Sequence, residues 1–126
     1  MATVLLVDDS RTQLRLREAV LRDAGIDVAT ASTADDALKH LTAPQAATLR
    51  LIITDHVMPG QSGAMFVREL RRRNQTVGVI VITGMAEAET EYEGLNVRFL
   101  HKPCAPEELI RLALDTTKSG SAALSH

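Results

Sequence analysis

The chain has 126 residues, 45% hydrophobic and 24% charged, which suits one globular domain with a single sizeable core and excludes fibrous, disordered and membrane classes. Its 14 basic and 16 acidic residues leave a net charge of −2 with no long basic tract, so nucleic acid is not expected as a direct partner. A single cysteine, Cys104, excludes an internal disulfide; with no apolar run near the ~18 residues of a membrane span and no signal-peptide pattern, a reducing, cytoplasmic setting is expected, with no membrane partner.

In chain order, VLLV (4–7) is a β-rich run without polar interruption, which predicts a strand buried on both faces. Ser10 is placed to cap a helix over RTQLRLREAVLRDAG. There Leu16, Val20 and Ala24, flanked by Leu14 and Leu21, predict the inward stripe, with Arg11, Arg15, Glu18 and Arg22 largely opposite. Gly25 stops it. IDVATA (26–31) reads as an edge strand, and Thr33 with Asp36 opens a short helix carrying Ala37, Leu38 and Leu41. A small-to-polar connection, TAPQAATLR, leads to a third strand, LIIT (51–54). Residues 63–73 predict a third helix with Met65, Phe66 and Leu70 inward and a basic, solvated end at residues 71–73.

VGVIVIT (77–83) and VRFL (97–100) are the fourth and fifth strands. Between them, GMAEAETEYEGL is acidic and poor in large apolar side chains, a short helix with little to bury. Pro106 opens a last helix with Leu109, Ile110, Leu112 and Ala113. Residues 117–126 are expected to be a flexible tail, leaving 1–116 as the domain. Strand and helix alternate throughout, which predicts an α/β fold: a doubly wound, five-stranded parallel sheet in the flavodoxin-like order 2-1-3-4-5, with helices on both faces.

Four of the five strands end in a polar residue: Asp8-Asp9, Asp55, Thr83 and, after His101, Lys102. A parallel sheet brings these ends to one edge, where ligands bind in such folds. Clustered carboxylates repel one another unless a cation holds them, and Mg²⁺ takes one or two carboxylates while accepting phosphate oxygens. With Lys102 as a mobile charge, Thr83 as a donor and Gly84 leaving room, the set suits a phosphoryl group on or near an aspartate. Each residue alone is ordinary, as a turn, a cap or a β-former; their joint placement is not. The four histidines do not form a metal site: His40 and His126 are exposed positions, and His56 and His101 read as isolated and solvated. Cys104 reads as a small hydrophobe, and Met58-Pro59-Gly60 as a tight turn.

With those residues in view, the chain resembles a bacterial two-component response-regulator receiver domain over about residues 3–116. LLVDDS, DHVMPGQSG, VIVITG and FLHKP stand in the family's order, and Asp-x-x-Met-Pro-x-x-x-Gly is the most specific of them. The resemblance implies that Asp55 accepts a phosphoryl group from the phosphohistidine of a sensor histidine kinase or histidine phosphotransfer protein. It implies Mg²⁺ held by Asp9, Asp55 and the Val57 backbone carbonyl directly, and by Asp8 through water. Lys102 would pair with the phosphoryl group, Thr83 would swing to it, and Phe99 stands at the family's rotating aromatic. The Lys102–Pro103 peptide is similar to one that is cis in the family. The phosphoryl group would bias a surface around helix four, strand five and helix five toward a downstream protein of unknown identity or a homodimer.

Phe99 departs from the more familiar Tyr and has no ring hydroxyl. The segment from Thr83 to Phe99 is shorter than the common pattern and the Leu41–Leu49 link longer, which is similar to receivers attached to hybrid kinases. Val57 and Met85, two past Asp55 and Thr83, are apolar where the family often has polar residues, which implies slow self-dephosphorylation. The expected role is that of a switch, not an enzyme beyond its own phosphotransfer and dephosphorylation. The competing readings are a Mg²⁺-dependent phosphatase-like enzyme on a similar sheet and an unphosphorylated scaffold.

Overall fold

The period of two along each apolar run decides the architecture. Strands β1 (Val4–Val7), β2 (Val28–Ala31), β3 (Leu51–Asp55), β4 (Gly78–Thr83) and β5 (Arg98–His101) pair in parallel in the order β2-β1-β3-β4-β5. The computed structural model describes residues 2–58, 60–73 and 75–124, apart from the side chains of Gln45 and of residues 118–124. Alternate side chains leave opposite faces of the sheet. Leu5, Val7, Ile52, Val79 and Val81 enter one core; Val4, Leu6, Leu51, Ile53, Ile80 and Ile82 enter the other.

Both faces are therefore covered. Helices α2 (Ala34–Thr42) and α3 (Gly63–Arg72) close the first core through Ala37, Phe66, Val67 and Leu70. Helices α1 (Arg11–Asp23) and α4 (Pro106–Leu124) close the second through Leu14, Leu21, Leu109 and Ala113. Phe66 is fully enclosed, and burial of such a ring contributes about 2–3 kcal/mol. This is the doubly wound α/β sheet that the alternation predicts. The helix starts are also as expected at Ser10 and Thr33, whose hydroxyls accept the backbone N–H of Gln13 and Asp36 at 3.3 and 3.0 Å. Ser62 does the same for Met65, and Gly25, at φ +85°, ends α1.

Several expectations are corrected. The inward stripe of α1 is Leu14, Arg17 and Leu21, while Leu16 is 57% exposed and Ala24 lies at the surface. The helix is rotated because Arg17 finds a carboxylate partner inside, which makes its burial tolerable. In α3, Met65 is exposed: it shares its face with Glu69 and Arg72, one and two turns on. Arg71 is not a solvated helix end. Its guanidinium donates to the carbonyls of Leu95, Gln75, Val77 and Asn96 at 2.7–3.1 Å, stitching α3 to the loops before β4 and β5.

The acidic stretch before β5 forms a 3₁₀ helix, Ala86–Tyr92, and it does bury side chains: Ala88 is enclosed, and Tyr92 joins the α2/α3-side core. A second 3₁₀ helix, Pro44–Thr48, lies in the connection before β3. Helical backbone in α4 runs on through Leu124, beyond the expected start of the tail at 117, because an established helix extends at one hydrogen bond per residue. Of the expected turn Met58-Pro59-Gly60, Met58 is buried and Gly60 takes φ +78°, while Pro59 lies outside the described residues, as do Ser125 and His126.

Candidate functional site

Parallel register sets the strand ends abreast. Val7 lies beside Thr54, Asp55 beside Ile82, and Thr83 beside His101. Asp8 and Asp9 therefore emerge next to Asp55, and Thr83 and Lys102 follow on the same edge. The Lys102 N–H donates to the Thr83 carbonyl at 2.9 Å, which holds the β5 exit against β4. Carboxylate oxygens of Asp8, Asp9 and Asp55 lie within 4.8 Å of one another.

Each member is held differently. Asp55 is 7% exposed; its Oδ1 accepts the His56 N–H at 3.0 Å, and Lys102 Nζ sits 3.1 Å from Oδ1 and 3.2 Å from Oδ2. Asp8 is buried, with Oδ1 on the Ser10 N–H at 2.9 Å and Oδ2 on Arg17 Nη1 at 2.6 Å. Burial first, and then the charges of Asp55 and Asp9, raise its pKa above the ordinary aspartate value against the opposing pull of Ser10 and Arg17. Asp9 is exposed.

Thr83 is buried, and its Oγ1 accepts the Met85 N–H at 3.0 Å. Beside it, a Cβ placed on Gly84 would meet nothing nearer than Lys102 Cβ at 3.8 Å, so the space expected there exists. Val57 and Met85 are both exposed, at 63% and 44%. Phe99 is half-buried, and the Lys102–Pro103 peptide is cis.

Three features have a packing role that the motifs do not assign. Arg17 is one; its signal was a lone basic residue at helical spacing between Leu14 and Leu21. The second is His56, which is buried rather than solvated. Its Nδ1 shares a 2.7 Å hydrogen bond with the Tyr92 hydroxyl, and its Nε2 lies 3.5 Å from the Glu91 carboxylate. Burial, then the nearby Glu91 and Asp55 charges, push the Tyr92 pKa well up, so the phenol stays protonated. Tyr92 in turn packs edge-on against Phe99 at 5.3 Å, and Phe99 stacks on His101, itself 2.7 Å from Glu89 rather than isolated. The third is Gly63: a Cβ there would lie 2.6 Å from both the Asp55 carbonyl oxygen and the Tyr92 hydroxyl.

Three carboxylates thus face two cations, Lys102 and Arg17, among the described residues. A site of hard oxygen donors with residual negative charge fits a divalent cation such as Mg²⁺.

Comparison with known proteins agrees. The family model for the response regulator receiver domain matches residues 4–114. The chain is 36% identical over 114 residues to the hydrogenase transcriptional regulatory protein HoxA of Cupriavidus necator, covering 86% of this chain and 23% of that one. It is 34% identical over 119 residues to the transcriptional regulatory protein AruR of Pseudomonas aeruginosa, covering 87% and 47%. The chain therefore spans less than half the length of these relatives. Among solved structures, the chemotaxis protein CheY4 of Vibrio cholerae matches with a TM-score of 0.81 and 31% identity, over 92% of this chain and 98% of that one. Among the described residues, no helix is long and apolar enough to cross a membrane. The chain belongs to the response-regulator receiver domains of two-component systems, signalling domains controlled by phosphorylation and served by a histidine kinase or phosphotransfer partner.

Proposed function

We propose that Asp55 is the phosphoacceptor of this switch, taking its phosphoryl group from a phosphohistidine on a sensor histidine kinase or histidine phosphotransfer protein in the cytoplasm. The observation that carries this is the setting of the Asp55 carboxylate. It ends a buried strand, is fixed from one side by the His56 N–H, and is met from the other by Lys102. One Asp55 oxygen attacks phosphorus as the phosphorus–nitrogen bond to the partner histidine breaks. The imidazole keeps the electron pair and takes up a proton, and an acyl phosphate is left on Asp55.

Asp9, Asp55 and the Val57 carbonyl would hold Mg²⁺ directly and Asp8 would do so through water; the ion, when bound, neutralises charge on the phosphoryl oxygens. Lys102 moves from the free carboxylate to the phosphoryl group. Thr83 redirects its hydroxyl proton from the Met85 carbonyl, to which Oγ1 donates at 3.4 Å, to a phosphoryl oxygen, and Phe99 follows by packing into the space that Thr83 leaves. Residues 1–116 constitute the switch. The response is read by a downstream protein at the face of the 86–92 segment, β5 and α4, where homodimerisation is a second mode of output.

Incubation with Mg²⁺ and a small acyl phosphate tests this reading by intact mass. A phosphoryl adduct is expected in the wild type and not in Asp55→Asn. Turnover of many phosphoesters without an adduct would instead indicate a phosphatase-like enzyme, and neither result a scaffold. The exposed, apolar Val57 and Met85 border the approach of hydrolytic water. Val57→Asn with Met85→Glu is expected to shorten the lifetime of the adduct about tenfold, equivalent to roughly 1.4 kcal/mol of barrier. An unchanged decay rate would refute that role.

A further inference from the structure

We infer that Arg17 is a built-in counter-cation of the acidic pocket, which holds Asp8 off direct metal contact and sets the Mg²⁺ affinity low; this rests on the proposed metal site. The guanidinium approaches from α1, the helix that leaves the site after Ser10, and its side chain is 10% exposed. Nη1 lies 2.6 Å from Asp8 Oδ2, and the Ser10 N–H takes Oδ1 at 2.9 Å. Both oxygens of Asp8 are thus already engaged by donors that no metal supplied. The carboxylate can still accept a hydrogen bond from a metal-bound water, but turning an oxygen inward would break a buried ion pair, a costly step.

The same charge acts on the pocket as a whole. Asp8, Asp9 and Asp55 crowd within 4.8 Å, and Lys102 neutralises only the Asp55 side. Without Arg17, Asp8 would be a buried anion beside two others. With it, the Asp8 charge is neutralised in place and is not offered to an incoming divalent cation. Arg17 is therefore a positioning residue. It touches no reacting atom and acts through Asp8.

Calorimetric titration of the full chain with MgCl₂ tests this, alongside thermal unfolding with and without the ion. Arg17→Met is expected to bind Mg²⁺ about tenfold more tightly than the wild type, since the Asp8 charge is then released from its partner and offered to the ion. Its metal-free form should melt lower and regain more on adding Mg²⁺. Arg17→Lys, which keeps the charge and folds under milder demands, should bind Mg²⁺ close to the wild-type affinity. In an Asp8→Asn background the Arg17→Met effect should largely vanish, which a merely structural role for Arg17 would not produce. Equal or weaker Mg²⁺ binding in Arg17→Met, or an undiminished effect in the Asp8→Asn background, overturns the inference. Absence of Mg²⁺ binding in every form, including the wild type, overturns it together with the metal site. Loss of the phosphoryl adduct with Mg²⁺ binding intact would overturn only the phosphoacceptor reading.

Discussion

Replacing Gly63 by Ala is expected to lower stability by about 3 kcal/mol or more, a drop of roughly 10 °C in melting temperature. The reason is local and severe. The added methyl would sit 2.6 Å from the Asp55 carbonyl oxygen, 2.6 Å from the Tyr92 hydroxyl and 3.0 Å from His56 Cα. Gly63 cannot retreat, because its N–H donates to the His56 carbonyl at 2.7 Å and it opens α3 just after the Ser62 cap. The conflict falls on the backbone that presents Asp55, the proposed phosphoacceptor. Combining Gly63→Ala with Tyr92→Phe should restore only part of the loss: one clash goes, the carbonyl clash remains, and His56 loses its hydroxyl partner. Full rescue, or a Gly63→Ala protein that melts with the wild type, would show that the close approach is unimportant.

Lys102→Met should separate chemistry from stability. The lysine end of the Lys102–Asp55 pair is open to water, with its side chain 41% exposed, so loss of Lys102 is expected to change folding by less than about 1 kcal/mol. The acyl-phosphate reaction should respond far more strongly. A charge-assisted hydrogen bond to the phosphoryl oxygens is worth about 1.5–3 kcal/mol, so adduct formation should slow by at least about tenfold. Thermal unfolding and a time course of intact mass measure both. A large fall in melting temperature with unchanged adduct formation would make Lys102 structural instead.

These two residues also mark how far the sequence could be read. Lys102 was legible because the five apolar runs, with helical patterns between them, leave a parallel sheet as the economical solution. The ends of such strands meet on one edge, so Asp8, Asp9, Asp55, Thr83 and Lys102 could be gathered without coordinates. Gly63 was legible only as the last residue of DHVMPGQSG. That it packs against the Asp55 carbonyl and the Tyr92 hydroxyl depends on a segment 29 residues further on.

The misread residues share a cause. Leu16 and Met65 read as inward because hydrophobicity is the strongest local signal, yet each helix has several rotations compatible with its pattern. The choice was made by partners distant in sequence: Asp8 drew Arg17 inward and left Leu16 outside, and the loop carbonyls around Leu95 and Val77 enlisted Arg71. The segment Ala86–Tyr92 looked too acidic to pack, because its burial rests on two residues, Ala88 and Tyr92, and on His56 as a waiting partner.

By itself, then, the sequence determined the order and type of the major elements, the doubly wound sheet and the edge where the polar strand ends collect, since periodicity and strand-end chemistry are properties of short stretches. Tertiary structure alone decided which charged and aromatic groups stand behind that edge: Arg17 against Asp8, His56 against Tyr92, and Gly63 beneath Asp55. Such contacts pair residues from separate elements, and a buried polar group declares itself only when its partner arrives to satisfy it.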